Sequence, residues 1–426
     1  MAGVAFVAIV LVAYALLSRR LGTTVVSGAL FFAGAGLLAG SRGLGIVTPG
    51  PRSEETRLLF EATLAVVLFT DAAATTASAL LRERVMPLRL LAVGLPLSIL
   101  AGWGVALALP SQLSLWEAAL VGAILAPTDA ALGEAVISNP RVPALVRDGL
   151  SVESGLNDGL ALPFVTIFVA LALAANGQES SVHVVETFLR AIVLSAAIGV
   201  ATAWVVTKLL RWSRERGWAD PFLQPAALLA TIALVYVAAD AARGSGFIAV
   251  WAAGATAGTV GAARLADAHP FFEELIDLLS SVSFLLFGAA FLGPAIAGAT
   301  WVSLAYAVLC LSAVRMAPVA IALLGTGMSR PTVAYVGWFG PRGLASIIFA
   351  GLVVENELPG ATPIVHVVML TVGLSIVLHG MTAWWGAERY ADWYERAARA
   401  RPDLPEAAAS APVVRRRATR AGRPQG

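Results

Sequence analysis

Charge is what this 426-residue sequence has least of. Asp, Glu, Lys and Arg make up 13% of it against 58% hydrophobic residues, too little to cover a chain of this size with water-facing groups. Lysine is nearly absent: Lys208 is the only one, and the cationic residues are otherwise arginine, a usage that points to a GC-rich bacterial source. Cys310 is the single cysteine and lies in an apolar run, which excludes an intrachain disulfide and a cysteine-rich metal site. The histidines, His183, His269, His366 and His379, are scattered, so a pH-sensing role for any one of them is a minor expectation. The opening MAGVAFVAIVLVAYALLSRR lacks the basic region that precedes a cleaved signal peptide and reads as a first helix.

What the chain has instead is apolar length. Its mean hydropathy is +0.80, and apolar stretches of roughly 18 to 25 residues recur from end to end, enough at about 1.5 Å per residue to cross a hydrocarbon core of about 30 Å. The expectation is an all-α integral membrane protein of about thirteen transmembrane helices. The third expected span is Leu58 to Leu80, the fifth Trp116 to Ile137 and the sixth Val146 to Ala175. The ninth and tenth are Phe247 to Ala262 and Leu275 to Leu292, and the twelfth and thirteenth Thr332 to Val354 and Pro363 to Trp385. With the N-terminus outside, Arg19, Arg20, Arg82, Arg84, Arg141, Arg147, Arg214 and Arg330 all fall on the cytoplasmic side, and only Arg42, Arg52, Arg57 and Arg243 fall in outer loops. An odd number of spans with a cytoplasmic C-terminus fits that distribution. Residues 386–426 read as a cytoplasmic, disordered tail drawn to anionic lipid.

Against this background a few charges stand in mid-span, where each costs roughly 2.5 to 3.5 kcal/mol on insertion scales and so calls for a partner, water or a purpose. Asp129 and Asp158 lie on neighbouring spans on either side of the corner SNPRVP and should reach similar depth near the midplane. Pro127 interrupts the helix beside Asp129, and freed backbone groups in hydrocarbon are tolerated only where they face protein or a watery cavity. The second half repeats the device: VGWFGPRGLASIIFA breaks the twelfth span at Gly340, Pro341, Arg342 and Gly343. Two broken helices running in opposite directions in the two halves of a chain point to an inverted-repeat transporter with a midplane site. Arg315 and Arg342 also reach the middle and can neutralise carboxylates there. If Glu153 pairs with Arg315, Asp158 keeps no dedicated cation. In a partly desolvated cavity it then takes either a proton or a small hard cation, and competition between the two couples their movement.

The stretches APTDAA at Ala126 to Ala131, ESGLNDG at Glu153 to Gly159, the lone Arg315 and GWFGPRG at Gly337 to Gly343 resemble the monovalent cation:proton antiporters of the CPA1 family, the NhaP-like Na+/H+ exchangers. The resemblance extends over most of the chain. It implies the NhaA-like antiporter fold of inverted repeats with two interrupted crossing helices. The transmembrane domain would be 1–385, with core helices at about 88–175 and 301–385 and dimerisation helices at about 1–80 and 184–292. It further implies that Asp158 binds cation and proton with Asn157 beside it, that Thr128 contributes its main-chain carbonyl and Ser154 its hydroxyl, and that Asp129 organises the helix crossing. Glu153 and Arg315 would form a structural ion pair and Arg342 would cap the second break. Asp71 stands where the family often has Glu, as a water-bridged ligand, and Gly155 departs from the family's larger apolar residue. Asn157 argues for electroneutral exchange of one cation per proton, since related Asp-Asp transporters are electrogenic.

The resemblance thus implies a secondary transporter, not an enzyme, in a bacterial inner membrane and most simply a homodimer. Its substrates would be H+ and Na+ or Li+, with K+ possible, and its partners these ions and the bilayer, without cofactor or nucleic acid. Two other classes compete on the acidic residues alone. An intramembrane aspartyl protease would share a proton between two aspartates but has no use for Asn157, a second broken helix or buried arginines. A passive cation channel normally repeats its ligands around an axis, which this chain does not.

Overall fold

A computed structural model of the chain describes residues 2–407 apart from 22–23, 25, 49–52, 75–84, 111–112, 176–180 and 402–403. The end expected for the third span at Leu80, the basic residues Arg52, Arg82 and Arg84, and the Arg-rich run after residue 407 lie outside the described residues, as does the side chain of His183. Among the described residues all regular structure is helical. The elements are α1 (Ala2–Leu21), α2 (Gly28–Ala39), α3 (Glu54–Ala74), α4 (Val85–Ala108), α5 (Leu115–Ile124), α6 (Glu134–Ser138) and α7 (Ala144–Ala175). They continue with α8 (Ser181–Glu215), α9 (Gln224–Ala241), α10 (Gly246–Phe287), α11 (Trp301–Ala322), α12 (Arg330–Trp338), α13 (Leu344–Glu355) and α14 (Ala361–Ala400).

Among the described residues eight helices are long and apolar enough to cross a bilayer and four apolar helices are shorter, so the expected number of thirteen is not confirmed element by element. The expected ninth and tenth spans, for instance, are joined in α10. Its packing nevertheless separates them. A Cβ on Gly254 or Gly258 would overlap the carbonyl of Phe69 or Ala73 respectively, so the first half runs parallel to α3. In the second half Phe272 meets the ring of Phe69, the Ser283 hydroxyl lies 3.3 Å from that of Thr63, and Phe291 just beyond meets Phe60, which is the antiparallel order. The two halves therefore run in opposite directions along α3. Small residues allow this, because in lipid helix association rests on close backbone packing and not on expelling water.

The helices sort into two groups. In one, α2, α3, α8, α9 and α10 pack mainly on one another; in the other, α4, α5, α7 and α11 to α14 do. The second group contains both broken helices. α5 starts with a capping box, the Ser114 hydroxyl accepting from the amide of Glu117 and the Glu117 carboxylate accepting from the amide of Ser114. It stops at Ile124, just short of Pro127, and helix resumes only at Glu134. α12 opens on the N-cap Ser329 with Pro331 in its first turn, and non-helical backbone from Phe339 to Gly343 separates it from α13.

The C-terminal segment departs from expectation. α14 does not end at Trp385 but runs on to Ala400, although a disordered tail was expected from residue 386. The reason is a stripe of carboxylates at helical spacing: Glu388, Asp392 and Glu395 all bind Arg141, in the loop that joins α6 to α7. Beyond it the chain turns back at Pro405–Ala407, where buried Glu406 accepts from the amide of Ser329 at 2.8 Å and the hydroxyl of Thr332 at 2.7 Å. The cytoplasmic-side ends expected for both broken helices are thus tied to this one segment.

Candidate functional site

The two breaks meet and complete each other. At the first, the amide of Asp129 donates to the carbonyl of Pro341 in the second break, 2.8 Å away. The Asp129 carboxylate in turn accepts from the amides of Leu344, at 3.0 Å, and Ala131, at 2.8 Å. Asp129 therefore caps α13, supplying an acceptor to the orphan amides at a helix N-terminus. Gly343 makes this approach possible, since a Cβ there would overlap the Asp129 carboxylate. Ser346, one turn into α13, donates to the carbonyl of Ile124 at 2.7 Å, where α5 ends.

Arg342 corrects one expectation. Its guanidinium does not cap the break it belongs to but reaches across to the first, donating to the carbonyls of Ala126 and, at 3.0 Å, of Pro127. Those carbonyls need it because the helix stops there and no amide lies ahead to donate to them. The side chain is 0% exposed, so a full charge is spent on holding backbone. Its own break is served from α14, where the Ser375 hydroxyl accepts from the Arg342 amide at 2.7 Å and His379 lies within hydrogen-bond distance of Ser375 and of the Trp338 carbonyl.

α7 passes beside the crossing and carries the remaining groups. Glu153 meets Arg315 through two parallel bonds of 2.5 and 2.8 Å, both side chains buried. A Cβ on Gly340 would overlap that guanidinium, so the pair is wedged against the second break. One helical step on, the Asn157 side-chain amide donates to the Thr128 hydroxyl at 2.7 Å, and the Ser154 hydroxyl lies 3.0 Å from the same oxygen. Thr128 thus enters through its hydroxyl, a group beyond the main-chain carbonyl expected of it. Because Thr128 accepts from Asn157, its own proton is free for Ser154.

Two oxygens remain. Among the described residues Asp158 Oδ1 and Asn157 Oδ1 are buried and have no hydrogen-bond partner. Neither guanidinium of the crossing pairs with Asp158: Arg315 is bound to Glu153, and Arg342 donates through Nη1 to carbonyls, its Nε and Nη2 having no partner among the described residues. The Asp158 residue is 8% exposed, which excludes a carboxylate turned outward to lipid. On the helical wheel of α7, Asp158 falls between Ser154, which faces Thr128, and Gly155, whose Cβ position lies 3.4 Å from the Asp71 side chain. Asp71, buried on α3, therefore brings the other helix group to the same place. The result is a cluster of oxygens: a carboxylate and an amide oxygen without donors, two hydroxyls, and a second carboxylate alongside. Oxygen-only sets of this kind suit hard cations.

The sequence reading missed the groups that back the site. Ser375 and His379, polar residues one turn apart in the apolar part of α14, were the available signal. Trp251, against Gly159 on α7, gave none.

A family model described as sodium/hydrogen exchanger, transmembrane, matches residues 7–386. A K(+)/H(+) antiporter NhaP from Alkalimonas amylolytica is 25% identical over 380 residues, which are 89% of this chain and 64% of that protein. A K(+)/H(+) antiporter NhaP2 from Shewanella sp. (strain ANA-3) is 26% identical over 370 residues, 85% of this chain and 62% of that one. The chain thus spans somewhat less than two thirds of the length of these curated relatives. Among solved structures, the sodium proton antiporter MjNhaP1 from Methanocaldococcus jannaschii at pH 8 superposes with a TM-score of 0.74 at 21% identity, over 91% of this chain and 98% of that chain. The two share a fold.

Proposed function

The chain belongs to the sodium/hydrogen exchanger transmembrane family, and from that premise we propose that it exchanges a monovalent cation for H+ across a membrane through competition at Asp158. The observation that carries this reading is a buried carboxylate oxygen with no hydrogen-bond partner among the described residues, while Arg315 is bound to Glu153 and Arg342 reaches the first-break carbonyls and not Asp158. A buried charge unpaired in this way is costly unless it takes up a proton or a cation. The Asp158 carboxyl gives its proton to water on one side and takes a cation in its place. Asn157, Ser154 and Thr128 supply further oxygens, and Asp71 an outer one from α3. On the other side the cation leaves and a proton returns. Neither bare nor doubly loaded carboxylate crosses cheaply, so the two fluxes are linked.

With Asn and not a second Asp at position 157, each cycle carries one cation against one proton. The relatives are named for K+, which puts K+ beside Na+ and Li+ as a cargo. The group holding both breaks would be the moving core and the group around α3 and α10 the scaffold through which two copies pair. The chain would sit in a bacterial plasma membrane with the N-terminus outside and the C-terminal segment in the cytoplasm. The protease alternative has no use for an Asp129 whose two oxygens accept the amides of Ala131 and Leu344 across the helix crossing. The test is dye-monitored proton flux in proteoliposomes on adding Na+, Li+ or K+ in turn. At least one cation should drive protons out of the protein-containing vesicles, and Asp158→Asn should abolish the response; a full response from that variant would remove the site from the mechanism.

A further inference from the structure

The end of α8 that the arginine distribution assigns to the cytoplasm carries a repeat for which ion exchange has no use. Trp204, Lys208, Trp212 and Arg216 follow one another at intervals of four, so aromatic and cation alternate along one face of the helix. All four are exposed. The Lys208 ammonium lies 5.9 Å from the centre of the Trp204 ring, and the Arg216 guanidinium 4.5 Å from that of Trp212. α8 has 35 residues, about 52 Å at helical rise against a hydrocarbon core of about 30 Å, so its ends pass beyond the apolar layer into the headgroups.

The way α8 stops completes the arrangement. The Gly217 amide donates to the Arg214 carbonyl and the Trp218 amide to the Ser213 carbonyl, both at 2.9 Å, with Gly217 at φ +72°. This is the Schellman pattern of helix termination, in which the residue after the glycine folds back onto the last turn. Here that residue is Trp218, and its ring stands edge to face with Trp212, centres 5.0 Å apart and planes at 85°. Arg216 occupies the corner between them, 5.5 Å from the second ring. The neighbouring charges have partners: Arg211 binds Glu215 at 2.7 Å, Arg214 donates to Gln224 at 2.6 Å, and Asp220 accepts from the Phe222 amide at 2.9 Å. Among the described residues neither Arg216 nor Lys208 has a hydrogen bond or an ion pair.

We propose that Trp212, Arg216 and Trp218, with Lys208 one turn before Trp212, bind the phosphate of an anionic phospholipid. A planar guanidinium matches a phosphate through two parallel N–H bonds, and stacking on two indoles fixes its direction in advance. The surface nearby is apolar, with Leu209 57%, Leu223 59% and Phe222 85% exposed, which suits the acyl chains of a lipid and not a free anion. Charge decides the occupant: a second copy of this chain would set the same cations opposite one another, whereas an anionic headgroup supplies the acceptors that Arg216 and Lys208 lack. Lipid binding here stands apart from exchange, since α8 belongs to the helix group that does not carry Asp158. It would hold that group at a fixed depth in the bilayer.

The test is lipid binding by the purified full-length protein in neutral detergent, read by native mass spectrometry. Phosphatidylglycerol is titrated alongside phosphatidylcholine with the same acyl chains. The wild-type protein should prefer phosphatidylglycerol, and Arg216→Gln should weaken that binding about fivefold, the share of one arginine near an anionic surface, while leaving phosphatidylcholine unaffected. Arg190→Gln removes the same charge from an exposed position nearer the other end of α8 and should bind as wild type does. Trp212→Leu keeps every charge but removes one wall of the corner, and should lose about two- to fivefold. Equal losses in Arg216→Gln and Arg190→Gln, or wild-type binding in Trp212→Leu, would reduce the effect to general attraction by positive charge and overturn the proposal. Displacement of phosphatidylglycerol by an equal concentration of inorganic phosphate would also overturn it, by making this a site for a free anion. If Arg216→Gln does not fold, Arg216→Lys must show the loss, because an ammonium lacks the planar fork, and undiminished binding there is equally fatal. Every readout is binding alone, so failure here leaves the exchange reading untouched.

Discussion

Replacing Glu153 by Gln should cost more than any other single isosteric change near the site. The pair it breaks is buried on both sides and bidentate. Arg315 has little else to turn to: its Nε is already without a partner among the described residues, and its next acceptor, the Val336 carbonyl, lies at 3.5 Å. Gly340 sits too close to the guanidinium for it to swing away. Removing one member of such a pair strands a buried charge, which typically costs about 3–5 kcal/mol. The same reasoning makes the pair itself dispensable to stability, because the desolvation of two charges offsets most of their attraction. A Glu153→Leu/Arg315→Met double variant should therefore return to within about 1–2 kcal/mol of wild type. The assay is unfolding of the purified protein in mixed detergent micelles with increasing SDS, followed by tryptophan fluorescence, in a full double-mutant cycle. A loss below about 1 kcal/mol in Glu153→Gln, the range of an exposed pair, would refute the reasoning, as would a double variant no better than the sum of the singles.

Other changes follow from the same geometry. Arg342→Gln strips charge-assisted donors from the Ala126 and Pro127 carbonyls and should lower stability by about 3 kcal/mol; Arg342→Lys should not restore it, since an ammonium lacks the planar fork, and SDS unfolding reads both. Gly343→Ala drives a methyl into the Asp129 carboxylate and should cost about 1–3 kcal/mol together with most of the exchange activity, measured as proton flux. At Glu406, burial pushes the carboxyl up, but bonds from Ser329 and Thr332 outweigh it and hold it below its ordinary value of 4.5. A folded-state value below the unfolded one means docking of this segment is complete above about pH 4.5 and lost as the pH falls through the folded value. Protection of the Ser329 amide, taken relative to its intrinsic exchange rate at each pH, should accordingly be high at pH 7 and fall on acidification, and should be low throughout in Glu406→Gln.

Much of the site was legible because breaking a helix in hydrocarbon leaves marks that few other needs produce. Pro127, and the Gly340, Pro341 and Gly343 group, located both breaks, and counting along helices set Asp129, Asp158, Arg315 and Arg342 in mid-span as an expectation. The partners of these groups were harder. Sequence places Arg342 in the second break, and only the crossing in space shows that its guanidinium serves carbonyls of the first. The bond from Asn157 to the Thr128 hydroxyl, beyond the main-chain carbonyl expected of Thr128, depends on a rotamer that no spacing encodes. Span counting treated the halves of α10 as separate helices, which their opposite directions along α3 justify, but it could not see that helical structure persists between them. The tail was misread at its start because Glu388, Asp392 and Glu395 look like a solvated face until Arg141, some 250 residues earlier in the chain, is brought opposite them.

The central claim is that proton and cation compete for one carboxylate, and its most direct measurement is the apparent affinity for the driving cation in proteoliposomes as a function of pH. A shared site requires that affinity to weaken by about tenfold for each pH unit on the acid side and to level off on the alkaline side, with the maximal rate reached at every pH if enough cation is supplied. An affinity that stays constant across that range would place the two ions at different groups and contradict the account.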